Sequence, residues 1–134
     1  MSKKFLAVLC IILVLASSTF AYAGEIMPRY NEISAIQSSM SIDGNTLYYS
    51  VKVLTPNAST LDSVTVDAEL KTLGGTVVAT YSNESTYKMG TTFIFSKNKT
   101  VTARGTYFLD YTVNCYKNGV LVDQVSKTTV TATY

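Results

Sequence analysis

The chain has 134 residues, of which 47% are hydrophobic and 15% are charged, a length suited to one domain. It contains no histidine, which excludes Ser-His-Asp and Cys-His catalysis and the usual zinc sites. The formal charge of +2 arises from 11 basic and 9 acidic residues, and the first segment of the chain carries the whole excess.

That segment reads as a signal peptide over residues 1–23. Lys3 and Lys4 form a positive start, and Phe5 to Ala16 is an apolar run. Ala21-Tyr22-Ala23 then offers small residues at both positions a signal peptidase reads. The run is shorter than the roughly 20 residues needed to cross a bilayer. Cys10 follows the bulky Leu9, which disfavours a lipid anchor. The expected product is a secreted, extracellular domain over residues 24–134. Removing Lys3 and Lys4 leaves 9 basic residues against 9 acidic ones. A neutral domain without a basic cluster offers no footprint for nucleic acid. It has nothing to hold an anionic membrane either, and no membrane insertion is expected after cleavage.

From Ile33 the pattern is β. Ile36, Ser38, Met40 and Ile42 alternate, and the change of phase from Ile33 to Ile36 suggests a bulge. Asp43-Gly44-Asn45 is a turn. Leu47, Tyr49, Val51 and Val53 mark a second strand, and Thr55 to Ser59 is a loop around Pro56. A third strand points Val64, Val66, Ala68 and Leu70 inward and Thr65, Asp67, Glu69 and Lys71 outward. Gly74-Gly75 returns the chain into a fourth strand over residues 76–81, making a hairpin. Ser82 to Gly90 reads as polar and irregular. A fifth strand starts at Phe93 and Phe95 and is expected to break or bend around Lys97-Asn98-Lys99.

The longest signal lies between Gly105 and Val125. Tyr107, Leu109, Tyr111, Val113 and Cys115 alternate with Phe108, Asp110, Thr112, Asn114 and Tyr116, so the first row faces a core and the second faces out. Asn118-Gly119 suits a type I′ turn, whose two central residues need positive φ. A two-residue loop sets Tyr116 opposite Leu121 and Cys115 opposite Val122. The final strand runs from Val120 to Tyr134. The fold class is all-β, a single antiparallel sandwich of about seven strands. Cys115, alone after cleavage, cannot form an internal disulfide. Its place in the inward row makes it a small core hydrophobe; an intermolecular disulfide or a redox thiol is the alternative, without a neighbouring base to activate it.

Gly105-Thr106-Tyr107 followed by Leu109, Tyr111 and Val113 resembles the penultimate strand of immunoglobulin-like sandwiches, among them fibronectin type III and polycystic-kidney-disease-type domains. The resemblance implies that Tyr107 is a corner tyrosine whose hydroxyl bonds backbone. Pro28-Arg29-Tyr30 with Ile33 and Ile36, then Met40, Ile42 and Gly44, resembles the start of small secreted proteins of gut and soil Firmicutes. Thr100-Val101 with Gly105 and Tyr107 fits the same group. Many of its members have a cysteine in the second strand, where this chain has Tyr48 and Tyr49. The resemblance implies a bacterial exported sandwich and brings no known activity with it.

Two groups of side chains invite a functional reading. Asp67, Glu69 and Asp110 point outward on strands that share a sheet in an immunoglobulin-like arrangement, and paired carboxylates can hydrolyse glycosides or hold calcium. A solvated face balanced by Lys71 is the simpler account. Phe108, Tyr116 and Leu121 would form an outer aromatic-aliphatic group able to contact a partner. The absence of tryptophan weakens a carbohydrate-binding reading. Sequons at Asn57, Asn83 and Asn98 bear on function only in a eukaryotic source. No cofactor and no metal are expected. The favoured reading is a secreted, monomeric, non-enzymatic binding or structural domain that contacts a glycan, another protein or a cell-envelope component. The alternatives are a small hydrolase using Asp67, Glu69 and Asp110, and an inhibitor or effector presenting the Ser82 to Gly90 loop.

Overall fold

A computed structural model describes residues 32–57 and 59–134. The expected signal peptide and the Pro28-Arg29-Tyr30 motif lie outside the described residues. Seven strands of nine residues or more, β1 (Ala35–Asp43), β2 (Thr46–Leu54), β3 (Ser63–Thr72), β4 (Val77–Ser85), β6 (Thr92–Thr100), β7 (Thr106–Lys117) and β8 (Val120–Thr128), are joined by two short ones, β5 (Tyr87–Met89) and β9 (Ala132–Thr133). They form two antiparallel sheets, ordered β1-β2-β6-β5 and β4-β3-β7-β8, with β9 also pairing β7. This is the immunoglobulin-like sandwich: two consecutive hairpins swap between layers, and β6 returns beside β2 while β7 returns beside β3.

The core is the sum of the inward rows. Leu47, Tyr49, Val51 and Val53 of β2 pack with Val64, Val66, Ala68 and Leu70 of β3 and with the odd-numbered row Tyr107 to Cys115 of β7. β2, β3 and β7 bury one face along nearly their whole length, so their apolar alternation is the cleanest in the chain. Positive φ shapes the turns of the β1–β2 and β7–β8 hairpins. Gly44 (φ 61°) takes the first position of the β1–β2 hairpin, as a type II′ turn needs, and Asn118 (φ 52°) with Gly119 (φ 75°) closes β7–β8 as type I′. The Asn118 N–H donates to the Asp62 carboxylate, which ties the hairpin tip to the start of β3.

Tyr107 is the corner tyrosine. It is buried at the start of β7, and its hydroxyl donates to the Ala103 carbonyl four residues upstream. Tyr107→Phe removes that bond and is expected to cost about 1 kcal/mol, or about 4–8 °C in a domain of this size. A thermal melt checks it; an unchanged melting temperature would make the corner bond ornamental.

Four local expectations are corrected. β1 pairs with β2 in continuous register from Ala35 to Asp43, so there is no bulge; Ile33 lies before the strand and packs onto the core from there. β6 runs unbroken through Lys97-Asn98-Lys99, paired with β2 along its whole length. Lys97 sits in the inward row, but at the open side of the sandwich, where it meets Glu84 of β4 at 3.4 Å and lies 6.0 Å from the Tyr81 ring centre. Ser82 to Gly90 is not an irregular loop: β4 continues to Ser85 and β5 follows. The final strand is split, since the chain leaves β8 after Thr128 and rejoins β7 only at Ala132.

Candidate functional site

Asp67, Glu69 and Asp110 do come together. β3 and β7 are adjacent, with Glu69 directly opposite Asp110 and Asp67 opposite Thr112. The three carboxylates line one groove of about 450 Å³ on the outer face of the β4-β3-β7-β8 sheet, with Thr80 and Ser82 from β4 and Ser126 and Thr128 from β8 on its flanks.

Asp67 and Asp110 belong to a hydrogen-bonded lattice, and Glu69 adjoins it through an ion pair with Lys71. Lys71 donates to Asp110 at 2.9 Å and reaches Glu69 at 3.9 Å. Thr128 donates to the other oxygen of Asp110 at 2.7 Å. The Lys71 ammonium first, and the Thr128 hydroxyl second, hold the Asp110 carboxyl below its usual range, and Asp110 in turn raises Lys71. Asp67 accepts the Asn83 N–H at 2.7 Å and the Asn114 side-chain amide at 2.8 Å. Asn114 is itself buried and accepts from Gln124 at 2.7 Å. Thr112 and Ser126 share a further bond of 2.8 Å.

Asp67 has a definite structural duty. The β3–β4 register slips between Val66 and Ala68, and Asn83 bulges there with φ 50°. A bulge leaves an N–H without a ladder partner, and the Asp67 carboxylate accepts it. The slip also changes the parity of β4, so Glu84 falls opposite Val66 in the inward row and can meet Lys97.

Phe108, Tyr116 and Leu121 are only partly united. Tyr116 pairs with Leu121 as the two-residue loop requires. Phe108 is eight residues away on the same strand, about 27 Å at the usual rise, with the polar groove between. Phe108 and Tyr116 are half-buried and Leu121 is exposed. The wider apolar exposure at this end is the β8 run Val120, Leu121 and Val122.

Cys115 is fully buried in the inward row, as expected. Burial first, and the charge of Asp123 second, push its thiol up to about 12. Its partner across the ladder is Asp123 and not Val122, because the register shifts between Cys115 and Tyr116. The cause is legible afterwards. An unbroken register from the Asn118-Gly119 turn would set Gln124 opposite Val113 and bury an amide. One extra residue, Val122, sets Val125 there instead, and Val125 is buried.

The sequence places Thr112 in the outward row but gives no role to the hydroxyls of β4 and β8 that join it in the groove. Thr112 on β7 and Ser126 and Thr128 on β8 recur at alternate positions, which signals a polar outer row; only the bulge at Val122 fixes which β8 residues join it. Among the described residues, no group of three or more acidic or cysteine side chains is arranged to hold a metal ion. Comparison of the chain with family models, curated proteins and solved structures finds no match.

Proposed function

We propose that this is an exported, non-enzymatic binding domain whose contact surface is the outer face of the β4-β3-β7-β8 sheet, and that it takes a polar, hydroxyl-rich partner such as a cell-envelope glycan or a polar protein surface. One observation carries the reading: a groove of about 450 Å³ in which Asp67, Lys71, Asp110, Thr112, Ser126 and Thr128 are already held by hydrogen bonds. Fixed polar groups bind without a large ordering cost. Thr80 and Ser82 can each donate and accept, Thr112 and Ser126 keep one donor between them beyond their mutual bond, and Thr128, whose proton goes to Asp110, can still accept. Tyr116 and Leu121 supply an apolar margin at one end.

The hydrolase reading has the joint position of Asp67, Glu69 and Asp110 in its favour. Glycoside cleavage needs one carboxyl kept protonated as a general acid. Asp110 is displaced the other way by Lys71 and Thr128, and Asp67 is occupied by the β4 bulge and Asn114. These are the signs of a structural lattice.

Thr112→Trp tests the proposal. Thr112 sits on the groove floor in an outward position, so a bulky ring there fills the groove and leaves the core alone. Capture of purified envelope polysaccharide and envelope protein by the immobilised protein is expected to fall by about tenfold or more, the scale of one lost anchor contact. Equal capture by the variant and the wild type would move the contact away from this groove.

A further inference from the structure

The two flanks of the sandwich are unlike. On one flank the edge strands are blunted: β5 has only three residues, and the β4 ladder is broken by two register shifts. Short or bulged edges resist pairing with another chain. On the other flank, β1 has nine residues in unbroken register, and β8 has nine with one shift, at Val122, and an unbroken stretch from Asp123 to Thr128. Apart from its last residue, Asp43, β1 carries no charge. β8 carries two, Asp123 and Lys127, and both stand in the row of Val125: their ladder partners are Cys115, Val113 and Tyr111, all buried.

Charges in an inward row of an edge strand usually forbid pairing, since a neighbouring strand would bury them. Here they lie symmetrically about Val125. An antiparallel copy of β8 centred on Val125 sets each Asp123 opposite Lys127 of the second copy, and each Lys127 opposite Asp123. Among the described residues neither has an ion-pair partner within 4.0 Å. The same register sets Gln124 opposite Ser126.

Main-chain phase agrees. The Thr129 N–H donates to the Leu109 carbonyl at 2.9 Å, and the β7–β8 register has no shift beyond Asp123. Backbone groups alternate sides along a strand, so those of residues 125 and 127 also turn to β7, and those of Gln124 and Ser126 turn to the open edge. Self-pairing must then match even residues with even ones, so the axis must pass through a residue. Centred on Asp123 or Lys127, it sets like charges together. Centred on Gln124 or Ser126, it sets both charges against apolar residues or against the end of the strand. Only Val125 satisfies both charges.

We propose that β8 is a self-association edge: two copies of this chain pair β8 with β8 about a two-fold axis at Val125, joining their β4-β3-β7-β8 sheets into one. This departs from the monomer expected from the sequence. It does not depend on the groove being a binding site, although Ser126 and Thr128 would then bring two grooves close to the axis.

Sedimentation equilibrium at low ionic strength, on the full chain as its expression host processes it, tests the pairing. The wild type is expected to be a reversible dimer. Asp123→Lys and Lys127→Asp each set two like-charge pairs across the axis and are expected to weaken association by about tenfold or more. The double reversal restores both pairs and is expected to restore the dimer. Ser126→Pro removes a main-chain donor that faces the open edge, where proline is tolerated, and is expected to give a folded monomer. Thermal melts of the variants confirm that each remains folded. A wild type that is monomeric at millimolar concentration overturns the proposal. So does a dimer indifferent to both single reversals, which would place the contact on another edge, such as β1.

Discussion

Raising the pH from 9 to 12 is expected to strip this domain of stability more steeply than its acidic and neutral range would suggest. Cys115 is wholly buried, and its thiol is pushed from an ordinary 9.0 up to about 12. The unfolded chain therefore loses the thiol proton first. Stability from the neutral thiol is complete below the unfolded value and drains away as pH climbs towards the folded one. The full loss is about 2–4 kcal/mol, a large share of the total stability of a domain of this size.

Tyr49 adds to the same limb. Its ring lies in the core, and its hydroxyl meets that of Tyr81 across the two sheets. Burial first, and the Tyr81 hydroxyl second, raise it above the ordinary phenol range. Its contribution begins near pH 10 and continues beyond the Cys115 window. Thermal melts at half-unit steps from pH 8 to pH 12 separate the two. Cys115→Ala is expected to flatten the first part of the fall, and Tyr49→Phe the later part. If Cys115→Ala falls as steeply as the wild type between pH 9 and pH 11, the thiol is not the group responsible. Neither titration touches the outer face, so partner capture at a pH where the domain is still folded is expected to be unchanged.

What the sequence disclosed and what it withheld divide along a physical line. Period-two alternation is strongest where one face of a strand is buried along its length and the other is not, so β2, β3 and β7 were legible residue by residue. Asn118-Gly119 announced its turn because few residue pairs accept positive φ twice. Tyr107 announced the corner. The missing parts all depend on tertiary balance. The Val122 bulge exists because Val125 and Gln124 compete for one inward position, a choice made only against Val113. The Asn83 bulge exists because Asp67 can accept the freed N–H. Lys97 looked like a break in β6 because a charge in an inward row is costly when it has no partner; Glu84 becomes that partner only after the Asn83 bulge. The site followed the same division. Asp67, Glu69, Asp110 and Thr112 were visible as outward residues of β3 and β7, whereas the flanking hydroxyls of β4 and β8 depended on two bulges that local pattern does not encode.

Leu109→Ala and Leu121→Ser are expected to behave oppositely, although both remove a leucine side chain from one hairpin. Leu109 is completely buried opposite Leu70, and its main chain bonds Thr129 through both the N–H and the carbonyl. Truncating it leaves a cavity between the sheets that those bonds keep from collapsing, at a cost of about 2–5 kcal/mol. At about 4–8 °C per kcal/mol for a domain near 100 residues, the melting temperature drops by about 10 °C or more. Leu121 is 46% exposed and faces Tyr116 on the outer row. Replacing it with serine is expected to change stability by no more than about 0.5 kcal/mol. If the apolar margin contributes to binding, the same variant weakens partner capture while Leu109→Ala, assayed below its melting point, does not. Differential scanning calorimetry and the capture assay on the two proteins measure both quantities. A large loss of stability in Leu121→Ser would mean that the outer row is covered, and that the even-numbered residues of β7 belong to a second buried layer. A small loss in Leu109→Ala would mean that the two sheets close over the gap, and the core between them would then be softer than its continuous apolar rows imply.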